Sequence, residues 1–163
     1  MVTPADVPPP SIGFLVWHLS MKWRAALDRK LAPLGLTAAQ YAVLASLYGL
    51  TRGRAQPSQR ELADFSGLDT MYVSKLVRAL EKAGLVERSR DPVDTRAVRL
   101  KVTSRGVEIV TAARAEVLRL EEQRLAPFGG TASEETDRLR AALEELLRQA
   151  VMKPNEEPRH PGS

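Results

Sequence analysis

One short stretch rules out an all-helical chain. From Val98 to Thr103 the residues Val98, Leu100 and Val102 alternate with Arg99, Lys101 and Thr103. A period of two describes a strand with one apolar face and one cationic face. The residues Val86-Glu87-Arg88-Ser89-Arg90 read as its partner, and the Asp91-Pro92 pair with Asp94 between them is turn chemistry. The segment is therefore expected to be a β-hairpin. It carries five basic residues (Arg88, Arg90, Arg96, Arg99 and Lys101), so its tip and sides are cationic.

Helical periodicity dominates on both sides of it. A first helix is expected from Ser11 to Leu34, stopped by Gly35. Leu36-Thr37-Ala38-Ala39-Gln40-Tyr41 is a capping box, with Thr37 as N-cap, Gln40 three residues on, and Leu36 and Tyr41 as the hydrophobic staple. That helix reaches about Leu50. Ser58-Gln59-Arg60-Glu61 is a second capping box and opens a short helix ending near Gly67. Asp69 caps the next helix, which stops at Gly84, where Leu85 can pack back on Leu80. After the hairpin, Thr103 opens a long helix to about Leu125, broken by Pro127 and the Gly129-Gly130 pair. A last helix is expected from Ser133 to Met152. The fold class is mainly α with a small β-hairpin. Residues 1–10 and 154–163 read as disordered tails around a single domain over 11–153.

Composition narrows the function. The chain has 163 residues, 44% of them hydrophobic, enough for a real core. Its net charge is only +4, but residues 52–105 hold 12 Lys and Arg against 7 Asp and Glu, so the whole positive excess lies around the hairpin. A confined excess of this kind favours a polyanionic partner. There is no cysteine, which removes disulfides, thiolate metal sites and thiol redox sensing. No apolar run approaches a membrane span, and the Pro-rich start does not read as a signal peptide, so a cytoplasmic protein is expected, with no membrane partner. The only histidines are His18 and His160. With no Ser-His-Asp set, no metal-ligand cluster and no Gly-rich phosphate loop, neither an enzyme nor a cofactor or metal is expected.

The two helices before the hairpin form a helix-turn-helix pattern. On a helical wheel, Val73, Leu76, Val77 and Leu80 of the second helix make one apolar stripe. Met71, Ser74, Lys75, Arg78 and Lys82 fall on the opposite face, with Thr70 and Tyr72 at its N-terminal flanks. A cationic face rich in hydrogen-bonding groups suits a helix lying in a major groove. An ordinary solvated amphipathic face has the same pattern; the basic hairpin that follows at once favours the first reading.

The run SQRELADFSGLDTMYVSKLVRALEKAGLVERSRDPVDTRAVRLKVTSRG resembles the winged helix-turn-helix of the MarR family of bacterial transcriptional regulators. The segment GLVER…DPVDTRAVRLKVTSRG carries most of the likeness. The resemblance implies a winged helix-turn-helix over residues 36–105, flanked by dimerisation helices at 11–34 and 104–152. It implies double-stranded DNA with a pseudo-palindromic operator as partner, read by Thr70, Met71, Tyr72, Ser74, Lys75 and Arg78. The hairpin becomes the wing, with Arg96 as the tip residue entering the minor groove. Asp94 is placed to hold its guanidinium, or to stabilise the turn, and the two roles are compatible. Arg88, Arg90, Arg99 and Lys101 are then phosphate contacts, and Ser58, Gln59 and Arg60 lie against the DNA backbone.

The first helix is apolar on two sides. Ile12, Leu15, Val16, Leu19, Trp23, Ala26 and Leu27 make one face; Phe14, Trp17, Met21 and Ala25, with His18 beside them, make another. A small winged-helix unit covers only one side, so a second chain or a ligand must cover the other. The resemblance implies a homodimer through the terminal helices. It also makes Trp17, His18, Met21 and Tyr41 candidates for a small aromatic effector's pocket, with core or dimer packing as the alternative. Repression by occluding promoter DNA is the family's commonest mode. Non-specific DNA binding, or a winged helix used for protein contacts, are the rival readings.

Overall fold

The computed structural model describes residues 9–52, 56–91 and 98–151. Helix α1 runs Ile12–Leu31, with the Ser11 hydroxyl accepting from the Phe14 amide at 3.2 Å. It stops three residues short of the expected Leu34. Pro33 has no N–H to continue the ladder and its ring crowds the carbonyl of the preceding turn, so the chain tightens into a 3-10 turn over Ala32–Leu34. Gly35 then turns left-handed at φ 71°. Helix α2, Ala38–Thr51, begins with the expected reciprocal box: Gln40 N–H donates to Thr37 Oγ1 at 3.2 Å, and Thr37 N–H to Gln40 Oε1 at 2.8 Å. Asp28 of α1 also accepts from the Ala38 amide, at 2.7 Å, a bond between residues ten positions apart that no local motif reports.

Helices α3 (Gln59–Ser66) and α4 (Thr70–Lys82) follow, then strands β1 (Val86–Arg90) and β2 (Val98–Val102), and helix α5 (Ser104–Leu125). All four residues of the α4 stripe are buried, against Val43, Leu44 and Leu47 of α2 and Leu62 and Ala63 of α3. Leu100 and Val102 close the same core from β2, and Val110 and Ala113 from α5. Each fully buried Leu or Val contributes about 1.5–3 kcal/mol relative to exposure, so this cluster fixes the position of α4. The end of α4 is a two-bond reversal: Leu85 N–H donates to Leu80 C=O and Gly84 N–H to Glu81 C=O, both at 2.9 Å, with Gly84 at φ 71°. Leu85 and Leu80 are both buried, as their spacing predicted. Thr103 caps α5, accepting from Gly106 N–H at 2.9 Å while its hydroxyl donates to Gly84 C=O at 2.8 Å.

The strands pair antiparallel in the register Val86↔Val102, Arg88↔Leu100 and Arg90↔Val98. Alternation then puts Arg88 and Arg90 on the face that carries Val98, Leu100 and Val102, and puts Arg99 and Lys101 on the other. The basic residues therefore do not share one cationic face. A third short strand segment joins the hairpin: Ser58 bridges Arg99, and Leu100 N–H donates to Pro57 C=O at 3.0 Å.

The chain divides into two compact units, Met1–Val117 and Leu118–Ser163. In the second unit α5 ends at a 3-10 turn over Ala126–Phe128, and Gly129 and Gly130 take φ 85° and 88°. Glu122 there accepts from the Thr131 amide and hydroxyl, which hold its carboxyl below the usual range. Ser133 caps helix α6, Glu134–Val151, and the buried Thr136 hydroxyl donates to Gly130 C=O at 2.7 Å. The expected last residue, Met152, lies outside the described residues. The apolar stripe of α6 (Leu139, Ala142, Leu143, Leu146, Leu147 and Ala150) is exposed, Leu147 to 66%.

The first half of α1 departs from expectation in the same way. Neither of its two apolar faces is covered: Ile12, Leu15, Val16 and Leu19 are exposed, and so are Phe14, Trp17 and Met21. Only the C-terminal half reaches the core, through Ala26, Leu27 and Leu31. Among the described residues no single helix is long and apolar enough to cross a membrane.

Candidate nucleic-acid interface

The start of α3 is shaped by its capping box. Glu61 N–H donates to the Ser58 hydroxyl at 3.2 Å, and Ser58 N–H donates to Glu61 Oε2 at 2.6 Å. The Ser58 amide first and the Ser58 hydroxyl next hold the Glu61 carboxyl below the usual carboxylate range, against an opposing effect of desolvation and with the smallest contribution from the Arg99 guanidinium. Arg60 is left exposed and Gln59 half-buried. Gly67, at φ 66°, makes the turn into α4. Asp69 then caps α4 with one carboxylate oxygen, accepting from Met71 N–H at 2.9 Å and Tyr72 N–H at 3.0 Å.

These elements bring the predicted reading residues together. Thr70, Met71, Tyr72, Ser74, Lys75 and Arg78, with Gln59 of α3, line one open groove of about 720 Å³. Among the described residues nothing acidic lines it. Met71 stands 82% exposed, too open to be a core residue. The burial of Val73, Leu76, Val77 and Leu80 behind this face leaves α4 no freedom to rotate it away.

The wing residues divide. Arg90 and Lys101 are exposed. Arg88, expected among the phosphate contacts, is opposite Leu100; its guanidinium is drawn to Glu81 of α4 at 3.3 Å, and its Nε is buried without a partner. Arg99, expected in the same role, is engaged on three sides. It pairs with Asp91, donates to Gln56 C=O at 3.1 Å, and approaches Glu61 at 3.4 Å. Asp91, read from sequence as a turn former, is 5% exposed. The signal for this pair was available in the register: Ser89 is opposite Arg99, so Asp91, two residues on, is on the same face as its diagonal neighbour. Asp94 and Arg96 lie outside the described residues.

The four effector candidates are not gathered in one place. Tyr41 lines a cavity of about 380 Å³ between α2 and α5, with Ala45, Tyr48, Gly49, Arg52, Val110, Thr111 and Arg114. Trp17, His18 and Met21 are not in that lining. Trp17 and His18 form instead an exposed ring cluster with Phe14, at centroid distances of 5.7 to 6.1 Å. Helical periodicity revealed the apolar faces of α1 but not their neighbours. Arg52 and Arg114 were missed because an exposed arginine carries no signal by itself. Among the described residues no group of three His, Asp or Glu is placed to hold a metal.

A buried helix-turn-helix core, a cationic reading face and a basic hairpin locked behind it define a winged helix-turn-helix DNA-binding protein. The MarR family model matches residues 36–98. Over 141 residues the chain is 36% identical to an uncharacterized HTH-type transcriptional regulator, YdcH of Bacillus subtilis (strain 168), covering 86% of this chain and 92% of that one. It is similar in fold to MepR of S. aureus in its DNA complex (TM-score 0.78, 24% identity, 87% of this chain and 99% of the other). It is similar also to CouR of Rhodococcus jostii RHA1 bound to p-coumaroyl-CoA (TM-score 0.71, 26% identity, 90% and 96%). The chain belongs to the MarR family and is a DNA-binding transcriptional regulator.

Proposed function

We propose that this chain reads a pseudo-palindromic operator as a homodimer, represses by covering promoter DNA, and releases it on binding a small aromatic acid. The observation that carries the reading is the α4 groove: six side chains of one helix face and Gln59 make a surface that, among the described residues, has no carboxylate, backed by a buried core. Thr70, Met71, Tyr72, Ser74, Lys75 and Arg78 meet base edges in the major groove, and Ser58, Gln59 and Arg60 meet phosphates. Arg90 and Lys101 serve as phosphate contacts of the wing, and Arg96 as its minor-groove contact. Arg88 and Arg99, being paired inward, are left out of the contact set.

The test begins with a duplex selected from a randomised pool by the full-length protein. Arg78→Ala is expected to lower the preference for that duplex over random DNA by about 1–3 kcal/mol. Lys101→Ala is expected to weaken both alike and to reduce the slope of log K against log salt by about 0.9. Equal losses on all sequences with equal slope changes would refute the division of roles.

The effector reading moves from α1 to the cavity that holds Tyr41. Its volume of about 380 Å³ is in the range that takes a small ligand, and two tyrosines with Arg52 and Arg114 offer stacking surfaces and cations. An acyl-aromatic ligand in CouR supports the same class here. Hydroxycinnamic and other phenolic acids are expected to release the selected duplex in a gel-shift titration, and Arg114→Ala to raise the concentration needed about tenfold or more, the loss of one charged hydrogen bond. Unchanged release from both Arg114→Ala and Tyr41→Ala would place the ligand elsewhere.

A further inference from the structure

The engagement of Arg99 has a use that phosphate binding does not explain. Asp91 directly follows β1 and Arg99 is the second residue of the return strand β2, so their ion pair joins the two strands where they leave the turn. The same guanidinium reaches out of the hairpin to Gln56 C=O and Glu61, both belonging to the entry into α3. The backbone repeats the connection: Ser58 bridges Arg99, and Leu100 N–H holds Pro57 C=O at 3.0 Å. Glu61 is at the same time the carboxylate of the α3 capping box, accepting from Ser58 N–H. Gln59, the next residue, already lines the reading groove. An unbroken chain of bonds thus runs from the base of the wing to the edge of the reading face. Lysine would not reproduce it, because only a planar guanidinium presents donors to three acceptors at fixed angles.

We propose that Asp91, Arg99 and Glu61 form a clamp that sets the angle of the wing against the reading helix, so that Arg99 is a positioning residue of DNA recognition rather than a phosphate contact. The inference rests on the DNA-binding reading above. It makes a prediction of unusual sign. Simple electrostatics says that Asp91→Asn, by removing a negative charge beside a polyanion, tightens DNA binding. A clamp says that it weakens binding to the selected duplex, because a loosened wing must be ordered again in the complex.

The experiment uses the full-length protein and the duplex that the wild type selects from a randomised pool. Two footprints of the wild type, dimethyl sulfate showing major-groove protection at guanine N7 and hydroxyl radical showing flanking minor-groove protection, establish the reading itself; their absence would count against that reading and not single out the clamp. Asp91→Asn and Arg99→Lys are then compared with it. Each is expected to lose on the order of tenfold in affinity, as for one buried charged hydrogen bond. Each is also expected to lose the flanking protection while keeping the major-groove protection, with the salt slope unchanged for the charge-conserving Arg99→Lys. Simple misfolding would remove both protections together, and Arg99→Lys with both lost, like Asp91→Asn binding as tightly as wild type, would overturn the proposal. So would Arg99→Gln with an intact footprint and a slope lower by about 0.9, the behaviour of a lost phosphate contact.

Discussion

Leu143→Glu combined with Leu147→Glu is expected to leave each protomer folded and to abolish the dimer. Both side chains are exposed on α6, 39% and 66% respectively, so charging them disturbs little of the protomer's own core. Together with Leu139 and Leu146 they form a stripe that a soluble helix does not normally leave open to water. The uncovered first half of α1, with Phe14, Trp17 and Met21, is a second surface of the same kind. A second copy of the chain is the occupant that the MarR family's homodimers supply. Two reading heads on one operator act as a linked pair, and separating them costs about 10²–10⁴-fold in apparent affinity without touching any contact to DNA. Sedimentation of wild type and double variant at micromolar concentration, followed by gel shifts on full and half operators, measures both effects. A double variant that still sediments as a dimer would remove the terminal helices from the interface.

Gly106→Ala is expected to be the most damaging small substitution in the reading unit. A Cβ at this position would run into the Leu85 carbonyl and stand 2.7 Å from Val102 Cγ1. The carbonyl is backbone, and it is held by the Thr103 amide at 3.1 Å, so it has no rotamer to escape into. Relief requires α5 to move off the end of α4 and off β2 together. Overpacking of this kind costs about 3 kcal/mol or somewhat more. In a protein of this size that is a fall of about 6–12 °C in melting temperature. Gly84→Ala is the internal comparison. Its added Cβ meets nothing within 4 Å, and only the left-handed φ of 71° is unfavourable, so about 1–2 kcal/mol is expected. Calorimetry that ranks Gly84→Ala as the worse of the two would contradict the close approach at Gly106.

What the sequence disclosed divides along the length scale of the interactions. Thr37 with Gln40, Ser58 with Glu61, Asp69 before α4, and Gly84 with Leu85 packed on Leu80 are all local, spanning five residues or fewer, and each was legible. The exposed face of α4 was legible because burying Val73, Leu76, Val77 and Leu80 leaves one choice for its other side. The wing's two strands were legible, but the direction of its arginines was not. Arg88 and Arg99 carry the same charge in the same hairpin, and only the strand register and the approach of Glu81 and Gln56 decide where their guanidinium groups go. The bond from Arg99 to Gln56 joins residues 43 positions apart, and no period or motif reports it. Likewise the two apolar faces of α1 were visible, while Tyr41 went to a cavity with α5 and left Trp17 and His18 outside.

The cap on α4 has a further consequence for how DNA is held. A helix's first turn exposes free amides and the positive end of its macrodipole, a ready anchor for a phosphate. Here Asp69 occupies that anchor, taking the Met71 and Tyr72 amides with a formal negative charge. Glu61 does the same at the start of α3, through the Ser58 amide. At the start of both helices, part of the N-terminal amide charge is therefore engaged internally. Attraction to phosphates is then expected to fall mainly to arginine and lysine side chains, whose grip follows the counterions they displace. A regulator built this way is expected to bind DNA more weakly as ionic strength rises.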